Sequence, residues 1–351
     1  MTDNHRQRLP DIDSEETDEW LEALRGYLDG NRRLFEEGVA QIPGVRPMPL
    51  ESTYLEWVDF SDTGMTREEV LRRIEGDAKI AVSHGTSFGR GGESYQRFNI
   101  ATPRARVAEA RLAMLLLTRI PVGYLRDPIP ATGASAWGWP LAGAVAMLPA
   151  ALIYWALHAA GFGPTVAALG LIFATTLLTG AMHEDGLADM ADGFGGGQTR
   201  ARKLEIMRDS RIGSYGVMAL ILTVALQAAL IARLDHPALV VPAALGLSMA
   251  SRAMLPFWLA RMPAARADGL GHGAAQVPIA CVYIAVVFGL IGLLPLGFGA
   301  AAVIFAGVVV ATALVAALAL RQIGGQTGDV IGAMQKLSEL AGWGVTVYLF
   351  A

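Results

Sequence analysis

From Trp137 to Met182 the chain runs for 46 residues without an Asp, Glu, Lys or Arg. A bilayer core about 30 Å thick takes about 20 apolar residues as helix, so a run of this length holds two spans. Gly161-Phe-Gly-Pro164 is the natural break between them. Ile212–Ala232 is uncharged, Pro237–Ala260 is interrupted only by Arg252, and Gly269–Leu320 is uncharged with a break near Pro295–Gly299. These runs predict spans at 138–160, 165–182, 214–233, 237–260, 277–294 and 300–320. The apolar stretch 107–120 is too short to cross by itself and is expected at the interface or in the bundle, and 341–351 is likewise too short to count as a span. The expected fold is an all-α polytopic membrane helix bundle of about six to seven spans.

Charge divides the chain differently. Residues 1–105 carry 13 Lys/Arg against 20 Asp/Glu, whereas residues 106–351 carry 15 against 12. The first segment reads as a small soluble α+β domain (1–105) and the second as an integral membrane domain (106–351). The N-terminus is polar and acidic, so no secretory signal is expected. With that end inside, segments 104–136, 183–213, 261–276 and 321–340 collect fourteen Lys/Arg, and the opposite loops hold Arg233. The bias predicts a multi-pass membrane protein with these segments cytoplasmic. The lone cysteine, Cys281, lies in an apolar run and is expected to be buried and inert.

The chemistry concentrates in His183-Glu-Asp185-Gly-Leu-Ala-Asp189-Met-Ala-Asp192-Gly193. The i, i+4, i+7 spacing of Asp185, Asp189 and Asp192 puts three carboxylates on one helix face. Like charges so placed repel, and a hard divalent cation relieves them; Mg²⁺ takes a few carboxylates together with substrate phosphates. The competing reading is a solvated acidic face, but the intervening residues are small or apolar and the motif follows directly on a predicted span. His183 is open between ligand, proton carrier and interfacial residue. Downstream, Arg208-Asp209-Ser-Arg211-Ile-Gly213 pairs glycine flexibility with guanidinium forks suited to phosphate. Arg200, Arg202 and Lys203 read equally well as topology-setting cations. Asp268-Gly-Leu-Gly-His272 and Gly324-Gly-Gln326-Thr-Gly-Asp329 are two further cytoplasmic segments. Arg252, inside a span, calls for either a carboxylate or phosphate partner or snorkelling to the surface.

Residues 113–340 resemble the cobalamin synthase family. The resemblance rests on Leu116-Leu-Thr-Arg-Ile-Pro121, the His183–Gly193 motif, Lys203–Gly213 and Gly324–Asp329, in that order. It implies a Mg²⁺-dependent transfer in which adenosylcobinamide-GDP reacts with α-ribazole or its 5′-phosphate, releasing GMP. It also implies that Asp185, Asp189 and Asp192 hold the metal and that His183 or a carboxylate takes the ribose proton. Arg208, Asp209, Arg211, Arg252, Gln326 and Asp329 are then the expected substrate-binding residues. The implied partners are these substrates and the lipid bilayer of a bacterial inner membrane, with no nucleic acid, and a homo-oligomer is compatible with the sequence. A CDP-alcohol phosphatidyltransferase-type enzyme would also place spaced aspartates at a membrane face, but lacks a reason for Arg208–Arg211 and Gly324–Asp329. A transporter with an acidic relay would bury its charges near the midplane rather than at a span end.

Residues 15–105 show a helical segment at Trp20–Arg32 and an alternating strand at Glu51–Phe60. With His84–Glu93 and Arg97-Phe-Asn-Ile, they resemble the small domain of a fold-type I pyridoxal-phosphate aminotransferase or cystathionine β-lyase-like enzyme. Arg97 matches that family's substrate-carboxylate position. The cofactor domain is missing, and the only lysine in 1–105 is Lys79, so no pyridoxal-phosphate chemistry is expected.

Overall fold

The computed structural model describes residues 14–78, 80–101, 104–125, 129–266 and 276–351. Lys79, Arg126 and the Asp268–His272 segment lie outside the described residues. The chain divides into two units, with the boundary after Arg104.

In the first unit, helix α1 (Ser14–Val39) runs well past the predicted 20–32. Strands β1 (Arg46–Pro47), β2 (Leu55–Asp59), β3 (Ser83–His84) and β4 (Tyr95–Asn99) form an antiparallel sheet in the order β1-β2-β4-β3. Helix α2 (Arg67–Leu71) continues into a wider π-helical turn ending at Asp77. Strand alternation aligns Glu56 and Val58 of β2 with Phe98 and Gln96 of β4 on one face. Phe35 of α1 meets Phe98 with ring centroids 5.4 Å apart, and Asn31 Nδ2 donates to the Ile100 carbonyl at 2.9 Å. On the other face the Arg97 guanidinium lies 4.2 Å from the Phe88 ring centroid and 5.7 Å from that of Trp57, a cation–π stack.

The second unit is helical. It comprises α3 (Arg104–Leu117), α4 (Trp139–Ala159, entered through a 3-10 turn from Thr132), α5 (Pro164–Thr179), α6 (Met182–Gly196) and α7 (Arg200–Ile206). There follow α8 (Ser214–Leu234), α9 (Pro237–Ala253), α10 (Leu255–Arg261), α11 (Ile279–Leu293), α12 (Phe298–Ile323) and α13 (Gly328–Phe350). Among the described residues, five helical stretches are long and apolar enough to cross a membrane: Thr132–Ala159, Ser214–Leu234, Pro237–Arg261, Ile279–Leu296 and Phe298–Ile323. The α5–α6 pair adds a sixth if taken as one broken span. Their outward faces expose Leu152, Trp155, Phe173, Leu222, Tyr283 and Leu314, an apolar belt that only lipid or a partner would cover. Inside, small residues let helices close in, as they do within bilayers. Ser248 Oγ of α9 donates to the Gly143 carbonyl of α4 at 3.0 Å, and Gly246 of α9 lies against Gly292 of α11.

Two expectations are corrected. The acidic motif is not a straight continuation of the second span, because α5 and α6 meet at 91°. Gly180 and Ala181 both take left-handed backbone angles, with φ of 66° and 58°. That ends one helix and starts another in a new direction; for alanine this conformation costs about 1–2 kcal/mol. The C-terminal stretch 341–351 is the end of a 23-residue helix, α13. Gln335, Lys336, Ser338 and Glu339 break its apolar run, yet all four are buried against other helices. Hydropathy cannot tell a polar residue facing water from one facing a polar neighbour.

Candidate active site

Two helix N-termini meet at the site. Helix α6 begins at Met182, and α13 begins at Gly328, where Thr327 Oγ1 accepts from the Val330 amide at 3.3 Å as N-cap. The two backbones nearly touch. A Cβ on Gly186 would come within 2.8 Å of the Asp329 carbonyl oxygen, and one on Gly332 would come within 3.5 Å of the Gly186 Cα. This contact carries Asp329 to the acidic face of α6. Asp185 of α6 and Asp329 of α13 line one cavity there, and Asp189 is one turn beyond Asp185 on α6. Arg266 lies 3.6 Å from the Asp329 carboxylate and donates to the Leu204 carbonyl at 3.1 Å.

The three aspartates of the motif do not share one environment. Asp185 is exposed, Asp189 half-buried and Asp192 buried. Both Asp192 oxygens are taken: the Gly213 amide donates at 2.7 Å and the Gly216 amide at 2.8 Å. A Cβ on either glycine would fall 2.4 Å from the carboxylate. Asp192 therefore caps the start of α8 and ties the Arg208–Gly213 segment to α6. Among the described residues no three His, Cys, Asp or Glu side chains form a ready-made metal cage. The donor chemistry still fits Mg²⁺, which keeps several waters and needs only one or two carboxylates beside phosphate oxygens. Asp189 and Asp329 are the carboxylates on this face that would hold it.

The opposite side of α6 is structural. Lys336 Nζ and Glu184 form a buried ion pair at 2.9 Å. Gln335 Nε2 donates to Glu339 at 2.6 Å and to Ser251 Oγ at 3.0 Å, and Gln227 Nε2 donates to Glu339 at 3.2 Å. This polar seam joins α6, α8, α9 and α13, and removing one partner of such a pair leaves a buried charge uncompensated. Arg252 belongs near this seam: it is buried and donates to Ser248 O at 2.9 Å and Ser248 Oγ at 2.8 Å. It neither snorkels nor lines the cavity described below, which corrects its expected substrate contact.

The cationic segment lies apart from this interior. Arg211 is exposed and donates to Asp209 at 2.6 Å. That contact holds the Asp209 carboxyl down at about 2. Arg208 is also exposed. Arg200 donates to the Ala265 carbonyl at 3.3 Å, and Lys203 bonds Gln322. Both cations therefore brace neighbouring segments. Gln326 holds the same region by its backbone: its amide donates to Pro263 O and its carbonyl accepts from the Ala265 amide, each at 2.8 Å. This pairing brings the 263–266 segment, with Arg266, beside Asp329.

A cavity of about 220 Å³ opens onto the acidic face, with His183, Asp185 and Asp329 among its lining residues. His183 is buried and its Nε2 has no hydrogen-bond partner among the described residues.

Arg266, Lys336 and Glu339 were missed as site or support residues. The signal for the last two was present, since an i, i+3 pair of opposite charges inside an otherwise apolar helix is functional or structural by default. Arg266 carried no such signal, because its segment looks like any cationic cytoplasmic loop.

A family model described as cobalamin-5-phosphate synthase matches residues 109–347. The chain is 45% identical over 241 residues to the adenosylcobinamide-GDP ribazoletransferase of Bradyrhizobium diazoefficiens, covering 68% of this chain and 93% of that protein. It is 41% identical over 242 residues to the protein of that name from Mesorhizobium japonicum, covering 68% and 93%. With that of Azorhizobium caulinodans it shares 44% over 247 residues, covering 64% and 92%. No solved structure matches. None of these matches supports the aminotransferase resemblance of residues 15–105.

Proposed function

Because this chain belongs to the cobalamin-5-phosphate synthase family, we propose that it joins adenosylcobinamide-GDP to α-ribazole or α-ribazole 5′-phosphate. The products are adenosylcobalamin or its 5′-phosphate, and GMP. The observation that carries the site assignment is the meeting of α6, with Asp185 and Asp189, and the Asp329 end of α13 at one cavity, with Arg266 beside Asp329.

The reaction forms one P–O bond, from a ribose hydroxyl oxygen to the corrinoid-side phosphorus. It breaks the P–O bond to the departing GMP. Asp185 is exposed and lines the cavity, so its carboxylate is the group that takes the ribose proton. His183 lines the same cavity, and its Nε2 has no hydrogen-bond partner among the described residues, so it is the second group placed to take that proton. Asp189 and Asp329 are the carboxylates that would hold Mg²⁺, whose charge neutralises the pyrophosphate. Arg266 supplies a positive charge on the same side, where developing phosphoryl charge needs it. Arg208 and Arg211, on an exposed segment tied to α6 through Asp192, meet the guanine-nucleotide end of the donor. The concentration of cations in the segments bearing these residues supports a cytoplasmic site in the inner membrane.

The test is GMP release by membranes given adenosylcobinamide-GDP, α-ribazole and Mg²⁺. Asp189→Asn should lower the rate by roughly 10²–10³-fold, with the chain still in the membrane fraction. Full activity in that variant would remove Asp189 from the site, and no GMP above an empty-membrane control would defeat the function.

A further inference from the structure

The cavity at the acidic face has walls of two kinds. One end carries Asp185 and Asp329 beside the bare backbone of Gly186 and Gly332. The rest of the lining is mostly apolar, with Leu116 and Leu117 of α3, Trp139 at the start of α4, Leu255 and Leu259 of α10, and Met182 and Ile331, and only Thr132 and His183 polar among them. Trp139 Nε1 donates to Ser135 Oγ at 3.2 Å, so its one polar atom is already engaged and the ring presents apolar surface.

Size and polarity then select among the groups that meet in the proposed reaction. Sites that enclose a whole drug-sized ligand run to about 300–1,000 Å³, and this cavity has about 220 Å³. It is too small to enclose a corrinoid or an entire nucleotide, but it can enclose one fused aromatic ring system. Guanine would bring several donors and acceptors to a lining that offers only Thr132 and His183 outside the two aspartates, and each polar group left unpaired costs about 1–3 kcal/mol. An alkylated benzimidazole has only two ring nitrogens, one of them in the glycosidic bond, and is otherwise apolar. A base seated among Leu255, Leu259 and Trp139 leaves its ribose at the end where Asp185 stands.

We infer that this cavity is the subsite for the aromatic base of the acceptor nucleoside, and that Leu255, Leu259 and Ile331 set its preference for an apolar benzimidazole over a purine. The inference rests on the proposed function.

The experiment uses the full chain in membranes and follows GMP release with α-ribazole and with the corresponding adenine α-riboside. Leu259→Ala should raise KM for α-ribazole about tenfold, since even one lost methylene in such a pocket is worth about 10–200-fold in discrimination. It should narrow the preference over the adenine nucleoside and leave KM for adenosylcobinamide-GDP unchanged. Leu259→Met, which keeps volume and apolarity, should restore the unaltered values. In the unaltered chain, free 5,6-dimethylbenzimidazole should inhibit competitively against α-ribazole and not against adenosylcobinamide-GDP. Equal rises in both KM values, or inhibition by the free base that is not competitive with α-ribazole, would overturn the assignment. So would activity that follows the acyl-chain length of added lipid with no effect of the base, which would give the cavity to a lipid chain. Absence of GMP release from the unaltered chain would instead defeat the underlying function.

Discussion

Glu56 occupies a strand position that alternation turns inward, between Leu55 and Trp57 on β2. It is fully buried, and neither carboxylate oxygen has a hydrogen-bond partner among the described residues. Burial pushes its carboxyl up to about 7 from an ordinary 4.5, with the Glu36 charge adding to the rise and Arg32 opposing it. Between those two values the folded state holds a proton that the unfolded chain has lost. The contribution of this group to stability therefore falls as pH rises through the interval, and the penalty is complete above about 7. Hydrogen exchange at the β2 and β4 amides of the full chain should quicken from pH 5 to pH 7.5 beyond the intrinsic base-catalysed rate. Glu56→Gln should flatten that excess, and an unchanged slope would show that Glu56 does not titrate there. The period-2 pattern made the strand legible in the sequence, but not the fact that its buried face carries an acid. Asp192 teaches the converse. Its spacing matched Asp185 and Asp189, yet two glycine amides more than twenty residues downstream take both its oxygens.

Helices α6 and α13 owe their close approach to glycine. Gly186 faces the Asp329 backbone, and Gly332 faces His183 and Gly186. A side chain at Gly186 has no room, because the obstructing atoms are backbone rather than the flexible end of a side chain. Gly186→Leu should push α13 away and separate Asp329 from Asp185 and Asp189. Misplacement of about 1 Å in such a constellation costs about 100-fold in rate. Gly344→Ala on α13, where an added Cβ meets nothing within 4 Å, should leave GMP release unchanged. Equal rates in the two variants would mean the seam does not position the site. The elements themselves were readable at different levels. Apolar runs located α4, α8, α9, α11 and α12, because a span must be apolar along its length. The α5–α6 bend was hidden, since Gly180-Ala181 looks like helix interior and its angles are settled by what packs around it. Helix α13 was hidden by its own buried polar residues.

At the scale of the whole molecule, the family match begins at residue 109, and the first unit ends at Arg104. The match to the Bradyrhizobium relative takes 93% of that protein but only 68% of this chain. The chemistry therefore belongs to the helical unit. A chain begun at Ala105 should reach the membrane and release GMP at the rate of the full chain. A complete loss in a truncated chain that is stably inserted would assign residues 1–104 a part in catalysis or assembly.

The sequence by itself determined that much of this chain forms helices long and apolar enough for a bilayer, roughly where they lie, and that a cluster of carboxylates sits at the end of the second apolar run. These follow from local sums of hydropathy and from spacing within one helix, which need no knowledge of neighbours. Only the tertiary structure decided which charges work together. It set Asp329 and Arg266 beside Asp185 and Asp189, withdrew Asp192 into a helix cap, and sank Arg252 into the interior. The reason is physical: which side chains converge depends on how closely helices pack. That distance is set by glycines on segments more than a hundred residues apart, and no local pattern encodes it.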